Sequence, residues 1–175
     1  MGLGLNFVCN NCNYDSGVLM LSQGDNHPIH SIIEKFLFTY SNEIDPQMLS
    51  YRMDLYKMID LYLSSHPERK STYYYHGCVC YGCRRTYEIL DLFEKKAEEV
   101  YAGDTGSFKL PQNPLNHIFE ISNSRWSSLI GEELLCLFCE RIVKKISNQS
   151  LKAGIHCPKC EKGLLQVGND FQLWD

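Results

Sequence analysis

Eight of the nine cysteines in this chain fall into four pairs, each with two residues between the thiols: Cys9 and Cys12, Cys80 and Cys83, Cys136 and Cys139, and Cys157 and Cys160. Only Cys78 stands outside a pair. Two cysteines at this spacing can both face one ion when the backbone turns tightly between them, and a zinc ion takes four soft or borderline ligands at tetrahedral angles. Four pairs are therefore the ligand complement of two zinc sites with four cysteines each. A zinc closed by four thiolates has no position left for water or substrate. Such sites are structural rather than catalytic, and they stabilise lobes whose apolar cores are small.

Composition narrows the setting. With 44% hydrophobic and 22% charged residues over 175 positions, the chain is globular, either one ordinary domain or two small metal-stapled lobes. A net charge of -4 gives no global basic face of the kind that proteins living on phosphate backbones carry. No run of about 18 apolar residues appears, so no membrane span is expected. The start, Met1 to Asn6, lacks the basic region and apolar core of a signal peptide, and Asn6 breaks the myristoylation pattern. The expected compartment is the reducing cytoplasm, where paired cysteines serve as metal ligands more often than as disulfides.

Taken in order, residues 5–21 read as two short strands around the first pair. Asn10, Asn11 and Asn13 suit a tight turn there because Asn tolerates left-handed backbone angles. Ser22 to His27 reads as a polar turn. Pro28 opens a helix to about Tyr40, with Ile32, Ile33, Phe36, Leu37 and Tyr40 on one face. Asp45-Pro46 reads as an N-cap followed by Pro in the first turn of a helix that reaches about Leu63. Tyr51, Leu55, Met58 and Tyr62 form its apolar stripe. The spacing fits ordinary core or, if that face is open, a docking surface.

Lys70 to Tyr75 is expected to be a strand. Arg84 to Tyr101 is expected to be a helix, from the stripe Leu90, Phe93, Ala97 and Tyr101, and residues 125–148 look helical as well. A loop with Pro111 and Pro114 follows Gly103-Asp104-Thr105-Gly106 and is the expected lobe boundary. Ser147 to Gly154 reads as a polar turn, and two short strands, Leu164–Val167 and Phe171–Trp174, close the chain.

The segment Cys157-Pro158-Lys159-Cys160-Glu161-Lys162-Gly163 resembles the knuckle of zinc-ribbon proteins, and Cys9 to Cys12, flanked by Phe7-Val8 and Tyr14, resembles the opening knuckle of such a ribbon. The resemblance covers the knuckles alone and implies a structural type, not an activity. Cys80 and Cys83, placed before an expected helix, resemble the second ligand pair of treble-clef zinc modules. The expected fold is α+β: two small zinc-ribbon-like four-cysteine modules framing a helical insert of about 28–64, with short antiparallel strands at the knuckles. Sequence order groups Cys9, Cys12, Cys80 and Cys83 in a module over 1–103, and Cys136, Cys139, Cys157 and Cys160 in a second over 104–175.

Several alternatives stand beside this reading. Cys136, Cys139, Val143 and Ile146 also fit one face of a helix, as buried core residues. Cys78 is either a spare thiol or a replacement for Cys80. His76 and His156 lie beside pairs and are neighbours or substitute ligands. His27, His30 and Glu34 can gather at a helix start, where a cap and a solvated face explain them equally well.

There is no nucleophile elbow, P-loop or dinucleotide fingerprint. The leading expectation is a zinc-binding, non-catalytic adaptor or regulator that binds another protein. The second is a nucleic-acid-binding or transcription-associated ribbon using Arg84, Arg85, Lys144 and Lys145, with Arg141, Lys152, Lys159 and Lys162 nearby. The third is an enzyme with an unrecognised site, using His27, His30 or Cys78.

Overall fold

The computed structural model describes residues 2–21, 28–69, 71–95, 126–131 and 133–174. Among the described residues, two antiparallel sheets, two long helices and one short helix make up the fold. The first sheet has the order β2-β1-β7, from β1 (Gly2–Cys9), β2 (Asp15–Met20) and β7 (Leu165–Trp174). The second has the order β5-β4-β3-β6, from β3 (Ser71–Cys80), β4 (Arg85–Lys95), β5 (Trp126–Ser128) and β6 (Lys144–Lys145). Helices α1 (Ile29–Tyr40) and α2 (Pro46–Ser65) lie between β2 and β3 in sequence, and α3 (Asn148–Ala153) precedes the last cysteine pair.

Both long helices follow from local signals. The Asp45 carboxylate accepts hydrogen bonds from the Gln47 and Met48 amides, and Pro46 needs no amide partner in the first turn. On α1, Ile32, Ile33 and Phe36 are buried, as the spacing of its apolar residues requires. The α2 core face differs from the expected stripe. It is made by Arg52, Tyr56 and Ile59, whereas Tyr51 and Met58 are largely exposed. Tyr56 anchors the helix to the second sheet by donating its hydroxyl to the Leu90 carbonyl at 2.6 Å, and its ring meets Phe36 edge-on. Each buried Ile or Phe in this layer contributes roughly 1.5–3 kcal/mol of transfer free energy.

Two expected helices are strands or turns. Arg85 to Lys95 pairs residue by residue with β3, from Cys80 opposite Arg85 to Ser71 opposite Glu94. Ile89, Leu90, Leu92 and Phe93 are all buried, because this strand is covered on both faces. A doubly covered strand loses its polar alternation, and its apolar run then mimics a helical stripe. The segment around Cys136 and Cys139 is a tight turn closed by the bridge between Leu135 and Ile142, not a helix, so those cysteines do not share a helical face with Val143 and Ile146. Conversely, the expected turn at 147–154 contains α3. There Ser147 and Ser150 cap each other reciprocally, the Ser150 amide donating to Ser147 Oγ and the Ser147 amide to Ser150 Oγ. The two terminal strand segments merge into one β7, with a register shift opposite Leu5 to Phe7. The expected turn at Ser22 to His27 and the expected lobe-boundary loop lie outside the described residues, as does the end of the helix expected to reach Tyr101.

The sheets are joined by specific contacts. The Tyr14 hydroxyl lies 2.8 Å from Thr86 Oγ1 and accepts from the Thr86 amide at 2.7 Å. Tyr74 of the second sheet donates to the carbonyl of Leu21, which follows β2. Val79, from the second sheet, is fully buried in the cluster that also holds Leu5, Phe7, Leu19 and Leu165 of the first.

Candidate metal centres

Each cysteine pair occupies a turn at the end of a strand or bridged pair. Cys9 ends β1, and its amide donates to the Tyr14 carbonyl across the first turn. Cys80 ends β3, and residues 81–84 turn the chain into β4. The third and fourth turns are closed by the Cys136 amide on the Arg141 carbonyl and the Cys157 amide on the Gly163 carbonyl, both at 2.8 Å. Three of the four turns place the residue after their second cysteine in the left-handed region: Arg84 and Glu140 at φ 56° and Glu161 at φ 57°. Left-handed backbone was expected at Asn10, Asn11 or Asn13, but it falls on these three charged residues instead. The repeated geometry aims the two thiols of a pair at one point.

The pairs assemble as two groups of four, Cys9 with Cys12, Cys157 and Cys160, and Cys80 with Cys83, Cys136 and Cys139. Within each group all sulfurs lie within 4.8 Å of one another. This corrects the grouping by sequence order. The outermost pairs share one centre and the inner pairs share the other, so each centre draws a pair from either side of the expected division at 103/104. Strand register is the cause. Cys9 stands opposite Leu165 on the β1–β7 ladder, which delivers the turn before β7 to the turn after β1. Cys78 and Val79 stand opposite Lys145 and Lys144, which delivers the third turn to the second.

The donor geometry fits a tetrahedral ion. The Cys9–Cys160 and Cys12–Cys157 sulfurs are 3.7 and 3.8 Å apart, and the Cys80–Cys139 and Cys83–Cys136 sulfurs 3.6 and 3.7 Å. Four sulfurs each about 2.3 Å from a central zinc would stand about 3.8 Å apart. The spacing is far too long for a disulfide bond of about 2.05 Å, and all nine cysteines are free thiols. Backbone amides point at the sulfurs: Asn11 at Cys9, Cys83 at Cys80, Phe138 at Cys136, and Gly163 at Cys160, all at 3.3–3.4 Å. Such bonds favour the thiolate.

The thiols divide the charge unequally. The Gly163 and Lys162 amides hold Cys160 down at about 6. At Cys139 burial pushes upward, but the Arg141 amide and the neighbouring thiols outweigh it and hold the group at about 7. Burial, then the Cys9 and Cys160 thiols, push Cys12 up to about 12. The four thiols of a group crowd one another, and a cation shared among them would favour the thiolate at each.

The surroundings of the inner centre carry a second sign of fit. The Tyr87 hydroxyl is buried beside Cys136 and has no oxygen or nitrogen hydrogen-bond partner among the described residues. Burial first, and the adjacent Cys136 sulfur second, push its pKa up. A metal-bound thiolate at Cys136 is an acceptor for that orphaned hydroxyl. Tyr87 was not singled out in the sequence, where nothing sets it apart from the other tyrosines. The Phe138 ring, inside the third turn, meets Tyr87 edge-on and carries the Arg85 guanidinium 4.4 Å from its centroid.

The remaining sequence candidates do not join the cysteine groups. Cys78 is fully buried in the core, and its pKa is pushed up chiefly by burial, so it is neither a ligand nor an available nucleophile. His76 contacts the Asp91 carboxylate, which also accepts from Ser128 Oγ. His156 is exposed, and its carbonyl accepts from Tyr81, which brings the turns of the two centres side by side. His30 contacts Glu34 on its own helix and Asp60 on α2 through its two ring nitrogens, and the Asp60 contact links α1 to α2. His27 lies outside the described residues. Of the basic residues, Arg85 is paired with Glu43, while Arg84 and Lys144 are exposed.

No helix among the described residues is long and apolar enough to cross a membrane. Compared with protein-family models, with curated proteins and with solved structures, the chain matches none of them.

Proposed function

We propose that this protein is a non-catalytic interaction protein, an adaptor or regulator, whose scaffold is held by two structural zinc ions in zinc-ribbon-like centres. The observation that carries the reading is the pair of closed four-sulfur groups with tetrahedral sulfur spacing. Cys9, Cys12, Cys157 and Cys160 hold one ion, and Cys80, Cys83, Cys136 and Cys139 the other. Each ion ties together segments distant in sequence, so its binding free energy becomes folding free energy. Four thiolates leave no open coordination position, which favours support of a surface over reaction at the metal. Nine free thiols suit a reducing, cytoplasmic setting. The exposed Tyr51, Met53, Met58 and Leu61 on α2 supply apolar surface for a partner.

Elemental analysis of the purified protein tests the metal half of this reading. It predicts two zinc ions per chain, no colour, and cooperative unfolding on chelation. A redox-active, coloured iron protein or a metal-free folded chain would end it. Retention of single-stranded or duplex nucleic acid at low salt, lost on neutralising Arg84, Arg85, Lys144 and Lys145, would replace the protein partner with a nucleic-acid one.

A further inference from the structure

The exposed side of α2 has the spacing of a helix-pairing seam. Tyr51, Asp54, Met58 and Leu61 recur at intervals of three, four and three residues, and with 3.6 residues per turn they lie within an arc of about 80°. Tyr51, Met58 and Leu61 are 57%, 68% and 63% exposed, so this seam is turned away from the chain's own core, which takes Arg52, Tyr56 and Ile59. Asp54 interrupts the apolar seam with a charge, and Lys57 stands one turn further along. Both are exposed, and neither forms an ion pair among the described residues.

The spacing is symmetric about residue 56. Positions 51 and 61 are equidistant from it, and so are 54 and 58. We propose that α2 is a self-association surface on which two copies of the chain pack antiparallel about a two-fold axis at the level of Tyr56. In that arrangement Tyr51 of each copy packs on Leu61 and Met58 of the other. Asp54 of each copy stands level with Met58 of the other and reaches Lys57 beside it, twice in the dimer. A parallel pairing would instead set Asp54 against Asp54. The charge pattern therefore selects both the partner, a second copy, and its direction. A single helix pair falls below the usual size of a stable interface, so the dimer is weak, with a Kd of roughly 1–100 µM. The inference supplies a partner for the interaction role proposed above.

The test is sedimentation equilibrium of the zinc-replete full chain over a concentration series spanning that range. The expected result is a weight-average mass that rises from 20.2 kDa toward twice that value. Asp54→Lys and Lys57→Asp each replace two attractions with two repulsions and weaken the dimer roughly ten- to thirtyfold. An equimolar mixture of these two variants associates again, because one chain then carries only positive and the other only negative charge at the two positions. The double variant associates like the parent. Leu61→Glu removes association altogether. All of these positions are solvent-facing, and an unchanged metal content for each variant shows that it is folded. A chain that stays monomeric across the series, or single variants that do not pair with each other, would overturn the proposal. Two zinc ions in a strictly monomeric protein would leave the metal reading standing and remove this one alone.

Discussion

Gly163 is packed against the sulfur of Cys9: a β-carbon on residue 163 would lie 2.5 Å from Cys9 Sγ and 2.6 Å from Asn11 Cβ. The Gly163 amide also donates to Cys160, and its carbonyl accepts from the Cys157 amide. The residue thus fits the fourth turn against the first. Gly163→Ala is expected to displace Cys9 from the outer centre, and the variant should retain one metal per chain instead of two. Lys162→Ala, one residue away and exposed, is expected to retain both. Metal counting by native mass spectrometry separates the two outcomes, and a Gly163→Ala protein with two ions would show that the turns can move apart.

Tyr87 reports on the inner centre in the same way. Tyr87→Phe keeps the ring that meets Phe138 but removes the buried hydroxyl beside Cys136. Loss of such a supporting hydrogen bond is expected to weaken metal binding roughly ten- to a hundredfold. The outer centre should be unaffected. Competition with a chromophoric chelator, read as two separate release steps, should show only one of them shifted.

Two histidines should titrate in opposite directions from the ordinary 6.5. Burial holds His76 below it, against the opposing pull of Asp91 and with further lowering from Lys145. The hydrogen bond to Asp60, then the charges of Glu34 and Asp60, hold His30 above it. His76 contributes stability that is present above pH 6.5 and lost as pH falls through its folded value. His30 contributes stability that is present below pH 6.5 and lost as pH rises through its folded value, a small effect because the pair is exposed. Imidazole resonances followed by NMR between about pH 5 and 8 should show midpoints on either side of 6.5. Midpoints in the reverse order would contradict both contacts.

Local chemistry made part of this fold legible in the sequence. The Asp45 cap, Pro46 and the apolar face Ile32, Ile33 and Phe36 are all short-range signals, and the helices they announce are present. The turns at the first, second and fourth cysteine pairs were legible for the same reason, since two thiols and the residues between them define each one, whereas the turn at Cys136 and Cys139 lies in a stretch that reads as helical. What failed was long-range or context-dependent. Ile89, Leu90, Leu92 and Phe93 look helical because sheet neighbours and helices bury both faces of β4, a fact about tertiary surroundings. The grouping of the turns depends on β1 finding β7 and β3 finding β6, pairings that no short window contains. Tyr87 becomes informative only once Cys136 is placed beside it.

The cysteine pairs are nested, outer with outer and inner with inner, and metal counts of two double variants test that order. If the outer and inner pairs each share an ion, Cys9→Ser with Cys157→Ser damages one centre and leaves one metal per chain. Cys9→Ser with Cys80→Ser damages both and leaves none. Grouping in sequence order predicts the reverse, with no metal in the first variant and one in the second. Native mass spectrometry of the two proteins side by side gives the answer: one ion and none, in that order, supports the nested centres, and none and one would contradict them.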